Sequence, residues 1–296
     1  MRILVTGASG LIGSALGSRL TAAGHEVIGY DRAAPPSLDS FDAVVHLAGE
    51  NIAGRWTEEK KRRIRSSRVD FTRRLCEGLA AAARRPRVLL SASATGYYGD
   101  RGAEELSEDS ERGAGFLADV TVDWERATLA AERAGIRVAH LRFWVVLDAE
   151  RGALAKMLPA FKLGVGGIIG SGRQYWSWIQ IADAVGAMEH LIATASARGP
   201  VNLVSPQPVM NREFSQTLGR VVRRLTLLPM PVFATRLALG QMAEALLASA
   251  RVMPARLEGM GYRFLWPDLE SAMTHSWESR ATKRPNCSAR AGSVSR

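Results

Sequence analysis

Three glycines at a fixed spacing are the first residues of this chain that could do chemistry. Residues 6–13 read TGASGLIG, with an apolar strand-like run, Arg2–Val5, before them and a helical pattern, Leu11–Ala23, after them. In that context the first glycine allows a tight turn, the second lets backbone approach a pyrophosphate, and the third lets the helix pack closely. The N-terminus of the helix then offers free N–H groups to phosphate oxygens. The segment therefore predicts a dinucleotide-binding loop.

Two adjacent residues bear on which dinucleotide this loop would hold. Asp31 lies eighteen residues beyond Gly13, at the end of a second predicted strand, Glu26–Tyr30. An acidic side chain at this place binds the ribose hydroxyls of NAD, whereas an arginine such as Arg32 neutralises the 2′-phosphate of NADP. The two residues give opposite indications, so both cofactors stay open on this spacing.

The elements that would position the loop alternate between short apolar strands and helices. Further strands and the helices between them are predicted at Ala43–Leu47, 57–83, Arg87–Ser91, 115–134 and Arg137–Leu141. Strand and helix in alternation specify a parallel sheet that is covered on both faces. The link 31–42 is too short for a crossover helix, so we expect a tight loop or a single helical turn there. The predicted fold class is α/β, with a doubly wound parallel Rossmann sheet.

The pattern changes after about residue 150. Five glycines between positions 164 and 172 mark a loop-rich stretch, which is followed by further strands and turns. Asn211 is predicted to cap a helix that runs to Arg224, and a second helical block is predicted at 233–250. We therefore expect a Rossmann domain at 1–163 and a smaller mixed substrate lobe at 164–273, with some later strands returning to the first sheet.

The positive charge of the chain is concentrated in two segments. Of the net charge of +10, segment 55–74 carries +6 and the tail 274–296 carries +4. The first segment reads as a helix with a basic polar face, for which a solvated surface is favoured over a nucleic-acid patch. A groove that guides anionic substrates is an intermediate reading. The tail has no apolar periodicity, so we expect it to be disordered.

Composition excludes several classes of protein. Hydrophobic residues make up 47% and charged residues 23%, which are globular values. No apolar run is long enough for a membrane span, and the start of the chain lacks the basic region of a signal peptide. Cys76 and Cys287 show no metal or redox spacing. A reducing cytoplasm is therefore the expected location.

Further motifs stand in a consistent order along about residues 1–273. HLAG (46–49) and SASATGYYGD (91–100) follow the third and fourth strands, and GENIAGRW (49–56), SSRVDFTRRL (66–75), SGRQYWSWI (171–179) and NLVSPQPVMNREFS (202–215) lie around them. Together with the glycine loop they resemble the extended short-chain dehydrogenase/reductase family, and within it an atypical nucleoside-diphosphate-sugar epimerase-like subgroup. Residues 236–273 resemble the short C-terminal extension of that subgroup. The resemblance implies an NAD(P)-binding epimerase- or dehydratase-like oxidoreductase with a small substrate, a nucleotide sugar being one candidate.

The resemblance also implies roles for individual residues. The residues that would line the dinucleotide are Gly7, Gly10, Leu11, Ile12 and Gly13 at the pyrophosphate, and Leu47, Ala48 and Gly49 at the adenine and ribose. Ser93 would hold the place of the substrate-activating serine, with a capping hydroxyl at a strand end as the alternative. Arg142 would steady an anionic substrate, with a surface ion pair as the alternative. Gln174 and Asn202, in the later motifs, would bind substrate.

The usual catalytic pair of the superfamily, Tyr-x-x-x-Lys, is missing. No tyrosine of the chain has a lysine four residues later, and the expected positions fall near Leu117 and Thr121. Tyr97 and Tyr98, close to Ser93, are the predicted replacements, with aromatic packing as the alternative. Three further residues differ from the subgroup: Trp144 replaces a small residue, and Gln180 and Ala182 replace His and Asp. His46 is expected to be a buried, hydrogen-bonded histidine, and no histidine cluster predicts a metal.

Two functions from different classes stay open. The first is an NAD(P)-dependent oxidoreductase or epimerase with a non-standard proton donor, with NADP favoured because the subgroup has an arginine where Arg32 stands. The second is a catalytically silent NAD(P)-binding sensor or regulator. The intact glycine loop and Ser93 favour the enzyme, whereas the missing catalytic pair favours the sensor. A small-molecule substrate and a homodimer are the expected partners, and nucleic acid and membrane are not.

Overall fold

A parallel sheet forms the centre of the protein in a computed structural model, which describes residues 1–31, 33–226 and 229–283. The strands of the described chain are β1 (Arg2–Thr6), β2 (Glu26–Gly29), β3 (Ala43–His46), β4 (Val88–Ala94), β5 (Glu105–Leu106), β6 (Arg137–Phe143), β7 (Val145–Leu147), β8 (Tyr175–Trp176), β9 (Trp178–Gln180), β10 (Gly199–Asn202), β11 (Val209–Met210) and β12 (Arg251–Val252). Six of them pair in parallel in the order β10-β6-β4-β3-β1-β2. The sheet confirms the predicted doubly wound α/β fold.

Helices cover both faces of this sheet. The helices of the described chain are α1 (Leu11–Ala22), α2 (Glu58–Ala81), α3 (Phe116–Arg126), α4 (Leu129–Arg133), α5 (Gly152–Lys162), α6 (Ile181–Ala193), α7 (Asn211–Val221), α8 (Val232–Leu239), α9 (Met242–Leu247), α10 (Ala255–Gly259) and α11 (Leu269–Lys283). Side chains alternate across β1, so Ile3 and Val5 pack in one core with α1 and α6, whereas Leu4 packs in another with α2 and α4. Two hydrophobic cores therefore fix the sheet between its helices.

The order of the strands places a crevice at the carboxyl end of β1. The chain moves from β1 to β2 on one side and then crosses to β3 on the other, which makes this point the topological switch of the sheet. Ligands of open α/β sheets bind outside the strand ends at such a point. The link from β2 to β3 contains no helix in its described residues, 31 and 33–42, as its length predicts.

The second half of the chain contributes to both the sheet and a separate core. Strand β10 adds to the edge of the sheet beside β6, and α6 packs on α1. The remaining elements surround a third hydrophobic core, which contains Trp176, Trp178 and Phe214. Short pairs join them: β8 pairs with β11, β7 with β9, and β12 pairs with the distant β5. The substrate lobe is therefore interleaved with the Rossmann sheet.

Three helical predictions were wrong in detail. The helix predicted at 115–134 is two helices, α3 and α4, and the block predicted at 233–250 breaks at Gly240, whose φ is +58°. Asn211 does not cap α7: it is the first helical residue, and Met210 precedes it as the cap. The Asn211 side chain accepts a hydrogen bond from Ile169 N at 2.8 Å, so its oxygen is directed to another segment.

The expectation of a disordered tail from residue 274 was also wrong for its first ten residues. Helix α11 continues through position 283, because Met273 is buried in the third core and Trp277 packs against that core. His275 stacks on Trp266 with ring centroids 4.2 Å apart. These contacts are long-range, so the absence of local periodicity did not predict them. Residues 284–296 lie outside the described part of the chain.

Candidate functional site

The glycine loop lies between β1 and α1 and leaves no room for side chains at two positions. Gly7 has φ +69°, and a Cβ atom there would lie 3.0 Å from Leu47 carbonyl atoms and from Ala48 N. A Cβ atom on Gly13 would lie 2.2 Å from the Gly7 carbonyl oxygen. Gly7 therefore lets the loop lie against the end of β3, and Gly13 lets α1 lie against the loop.

Gly10 has a different role. It precedes α1 in extended backbone (φ −68°, ψ 172°), and a Cβ atom there would meet only the Gly7 carbonyl oxygen, at 3.0 Å. The next three residues, Leu11, Ile12 and Gly13, start the helix, so their N–H groups have no partner within it. Gly10 thus keeps open the surface over which an anion would reach these N–H groups.

A groove runs from this loop along the strand ends. One part has a volume of about 690 Å³ and is lined by Thr6, Gly7, Ala8, Ser9, Gly10, Gly29, Tyr30, Asp31, Leu47, Ala48, Gly49 and Phe71. A smaller part of about 280 Å³ is lined by Leu11, Ile12 and Gly13 together with Leu47, Ala92, Trp144 and Val146. The structure thus brings together every predicted cofactor residue except Arg32, which lies outside the described residues. The groove and the open glycine surface fit a dinucleotide.

Hydrogen bonds of buried side chains fix the floor of the groove. The Thr6 hydroxyl accepts from Leu47 N at 3.1 Å and from Ala48 N at 3.2 Å, and it bonds His46 Nδ1 at 2.6 Å. His46 Nε2 bonds the Thr72 hydroxyl at 2.8 Å. His46 is fully buried. It is therefore the satisfied core histidine that the sequence predicts.

Asp31 lines the groove, but part of its carboxylate is already engaged. Its Oδ1 accepts a hydrogen bond from Ala33 N at 2.9 Å, two residues along the same loop. One oxygen is therefore held by the local turn and is turned toward the loop backbone. This arrangement leaves Oδ2 as the carboxylate oxygen with no bond to the described loop residues, so fewer acceptor positions remain for ribose hydroxyls.

Ser93, at the end of β4, donates its hydroxyl to a buried carboxylate. Its Oγ lies 2.6 Å from Glu125 Oε1. Arg142 donates to both oxygens of the same carboxylate, each at 2.8 Å, and its side chain is 3% exposed. Burial alone raises the pKa of Glu125, but the hydrogen bonds and charge of Arg142 outweigh it and hold the pKa below its ordinary value. Ser93 therefore faces an ionised acceptor.

Arg142 fits neither of its two expected roles, which were to steady an anionic substrate or to form a surface ion pair. Its third polar atom, Nη1, donates to the Tyr98 hydroxyl at 2.9 Å, so each guanidinium nitrogen has a protein partner. The residue is buried, which rules out a surface ion pair. Three of its five N–H groups are engaged by the protein, and Arg142 lines neither the groove nor the cavity described below, so it is not placed to steady an anionic substrate. Its guanidinium also lies 3.6 Å from the ring centroid of Tyr97.

Of the two predicted tyrosines, Tyr98 belongs to this buried network. It is fully buried, and its hydroxyl donates to Asn202 Oδ1 at 2.8 Å. Burial raises the pKa of Tyr98 to about 12. These contacts agree with the alternative of packing at a strand end. Tyr97 is half-buried, and its hydroxyl has no hydrogen-bond partner among the described residues.

Gln174 and Asn202 also have structural partners in place of a cavity. Asn202 is fully buried, and its Nδ2 donates to Met253 O at 2.9 Å. Gln174 is 7% exposed and donates to Ile169 O at 3.0 Å. Neither residue lines the cavity described next. The geometry therefore contradicts direct substrate contact by these two amides.

A separate cavity of about 320 Å³ adjoins the inner end of the groove. Its walls include Trp56, Thr95, Phe116, Leu117, Trp144, Tyr175, Arg236, Glu244 and Leu247. Trp144 lines both the groove and this cavity, so the two are separated by one indole. Leu117 occupies the wall where the usual tyrosine is expected, and it lies against Gly96.

Most residues of this cavity were missed by sequence reasoning. Thr95 follows Ser93 by two positions, at the start of a single 3₁₀ turn, Thr95–Tyr98. Its place on the same strand end was the one available signal. Nothing local marks Trp56 or Arg236, which come from distant segments. Gln180, which replaces a histidine of the subgroup, caps α6 by accepting from Ala182 N and does not line the cavity.

Comparison with known proteins agrees with this geometry. A model described as the NAD dependent epimerase/dehydratase family matches residues 3–204. A second, described as a domain of unknown function (DUF1731), matches residues 230–276, the segment that supplies Arg236 and Glu244 to the cavity.

Relatives cover almost the whole chain. The Epimerase family protein Mb2239 of Mycobacterium bovis is 41% identical, over 96% of this chain and 98% of its own length. The human Epimerase family protein SDR39U1 is 35% identical, over 92% and 98%. A crystal structure of human SDR39U1 with NADPH superposes with a TM-score of 0.90 at 34% identity, covering 94% of this chain and 99% of that one. The chain belongs to the NAD dependent epimerase/dehydratase family and carries a C-terminal DUF1731 segment.

Proposed function

We propose that the protein is an NADP-dependent oxidoreductase of a small hydroxyl or carbonyl compound. The observation that carries the proposal is that the glycine-lined groove and the cavity lie side by side, with Trp144 lining both. A bound dinucleotide supplies hydride chemistry: its reduced nicotinamide gives a hydride to a carbonyl carbon while the oxygen takes a proton, and alcohol and oxidised cofactor result. The residues named above would hold the pyrophosphate at α1 and the adenine beside Leu47–Gly49.

Two features support NADP over NAD. The Asp31 carboxylate is partly engaged by Ala33 N, which weakens the case for ribose binding. Arg74 lines an adjoining cavity of about 650 Å³ that shares Tyr30 and Phe71 with the cofactor groove. This side chain offers positive charge for a 2′-phosphate, and Arg32 follows Asp31 in the sequence. The NADPH in the structure of the human relative is consistent with the same choice.

The proton donor would differ from that of most dehydrogenases. Ser93 donates into Glu125, and Tyr98 is buried with both hydroxyl partners in place. Of the predicted catalytic residues, Tyr97 is the one whose hydroxyl has no hydrogen-bond partner among the described residues, but it lines neither the cavity nor the groove. As proton donor it would therefore have to act through a water or a rotated side chain. The Thr95 hydroxyl adds a hydrogen-bond donor in the cavity wall. A tyrosine without a neighbouring lysine stays a weak acid, so turnover would be slow.

A second candidate, a catalytically silent NADP sensor, is favoured by one observation. Leu117 stands on the cavity wall where the catalytic tyrosine is expected, and the Thr121 hydroxyl donates to Leu117 O at 2.7 Å. A sensor would bind the cofactor with the same groove and convert no substrate. Turnover assays with a panel of carbonyl compounds separate the two functions.

Of the expected partners, the proposal requires only a small molecule. Several cations of the basic helix α2 are paired, including Lys60 with Glu50 and Arg65 with Asp123, which supports a solvated surface over a nucleic-acid patch. No described helix is long and apolar enough to cross a membrane. A homodimer and a cytoplasmic location stay predictions.

The test is a glycine substitution that prevents the cofactor phosphates from approaching the loop while the protein stays folded. Gly10 has backbone that valine adopts, and a Cβ atom there would lie 3.0 Å from the Gly7 carbonyl oxygen, so Gly10→Val should lower the thermal midpoint slightly and weaken NADPH at least about tenfold in calorimetry. Gly259→Val is the matched control, because nothing lies within 4 Å of a Cβ atom there. Equal NADPH affinity in Gly10→Val and wild type would refute the proposed groove.

A further inference from the structure

The cavity beyond Trp144 has chiefly apolar walls that include four aromatic rings. Rings of Trp56, Phe116, Trp144 and Tyr175 surround it, and the rest of the wall is largely alanine, glycine and leucine. Two of the rings are fixed: Trp56 Nε1 donates to Ile52 O at 2.7 Å, and its ring meets Phe116 edge-on at 5.4 Å. A preformed aromatic wall binds flat apolar groups by burying their surface.

The charges at this cavity do not suit a diphosphate. Its ionisable lining residues are two acids, Asp100 and Glu244, and one arginine, Arg236. A nucleoside diphosphate needs several cations or a set of N–H donors for its oxygens. The first turn of α3, Phe116–Ala118, offers N–H groups at the wall, but Asp119 in the same turn offsets them. The two lining carboxylates would repel a diphosphate and outnumber Arg236. At about 320 Å³ the cavity is also at the small end of ligand sites.

Uncharged polar groups, in contrast, are available. Thr95, Trp144 and Tyr175 line the cavity, and the side-chain hydroxyl or indole N–H of each has no hydrogen-bond partner within the described chain. These groups suit a neutral hydroxyl or carbonyl oxygen, which needs one or two hydrogen bonds and no counter-ion. Trp144 lines both this cavity and the groove.

We propose that the substrate is a small uncharged alcohol or ketone that carries an aromatic or alicyclic ring, and not a nucleoside-diphosphate sugar. The ring lies among Trp56, Phe116 and Trp144, and its oxygen is held by Thr95. The inference rests on the proposed function, since it names the ligand of the same site. It also gives the DUF1731 segment a role, because residues of α8 and α9 close the cavity.

The experiment titrates the full chain with three probes in non-reacting pairs: 1-(2-naphthyl)ethanol and UDP-glucose with saturating NADPH, and 2-acetonaphthone with saturating NADP⁺. Calorimetry should show both naphthyl compounds binding more tightly than UDP-glucose. Thr95→Val keeps the side-chain shape and removes one hydrogen bond, so it should weaken the naphthyl probes about fivefold to tenfold. Arg62→Gln, on the exposed face of α2, is the control and should leave them unchanged.

Two results would overturn the proposal. One is tighter binding of UDP-glucose that falls at least about tenfold in Arg236→Gln and not in Arg62→Gln, as a phosphate contact requires. The other is naphthyl binding that is absent, or is insensitive to Thr95→Val. NADPH affinity is measured first in the same samples. Normal NADPH binding with either result rejects only this substrate class, whereas lost dependence of NADPH on Gly10 rejects the proposed function.

Discussion

Replacing Arg142 by methionine would leave a carboxylate buried without its counter-ion. In the wild type Arg142 donates twice to Glu125 and once to Tyr98, and the side chains of the ion pair are 3% and 13% exposed. Breaking a buried pair by removing one partner costs about 3–5 kcal/mol, because the remaining charge has lost its compensation. Arg142→Met should therefore lower the free energy of unfolding by about that amount at neutral pH.

The loss should depend on pH with a definite sign. In the wild type the pKa of Glu125 lies below its ordinary value. The ion pair therefore stabilises the fold fully at pH values above the ordinary pKa, and this stabilisation is lost as the pH falls through the lowered pKa. Without Arg142, burial raises the pKa of Glu125, so the carboxyl takes up a proton on modest acidification and the buried charge disappears. The difference between variant and wild type should accordingly shrink toward acidic pH.

Urea unfolding followed by circular dichroism measures both effects. Arg133→Met, on an exposed position of α4, is the matched control and should change the free energy of unfolding by less than about 0.5 kcal/mol. The double variant Glu125→Gln with Arg142→Met should recover part of the loss and its pH dependence. A loss below about 1 kcal/mol, or one that is equal at neutral and acidic pH, would refute the assignment of a buried ion pair.

Three further substitutions or reactions give distinct outcomes. Gly13→Ala places a Cβ atom 2.2 Å from the Gly7 carbonyl oxygen. NADPH affinity should therefore fall, and the thermal midpoint should fall further than in Gly10→Val. Tyr98→Phe leaves two buried partners unsatisfied and should cost about 1–3 kcal/mol in urea unfolding with no change in NADPH affinity. Burial raises the pKa of Cys76 to about 12, so in a Cys287→Ser variant the native protein should not react with a thiol reagent until it is denatured.

The parts of the fold that sequence predicts are those specified by local pattern. The strands β1 and β3 contain the continuous apolar runs Ile3–Val5 and Ala43–Val45, because both faces of a central parallel strand are buried. The glycine loop is equally local, since turn, close approach and helix start lie within eight residues. Both were found for these reasons.

The chemistry of the site was less predictable because its partners are far apart in sequence. Ser93 was correctly placed at a strand end, but the acceptor of its hydroxyl, Glu125, lies 32 residues away and is held by Arg142 on another strand. The same holds for the cavity, which joins Thr95 to Arg236. Propensity and spacing carry no information on such contacts, so aromatic packing was foreseen as the alternative for Tyr98, but its hydrogen bond with the buried Asn202 was not.

The pairing of β12 with β5 also sets an order for folding during synthesis. Leu106 and Tyr98 share a small core with Val252, which the ribosome adds about 146 residues after Leu106. At about 5–20 residues per second, this surface stays uncovered for roughly 7–30 s. A nascent chain therefore exposes an apolar strand edge beside Tyr98 until the C-terminal segment arrives, and binding by a chaperone during that interval would protect it from aggregation.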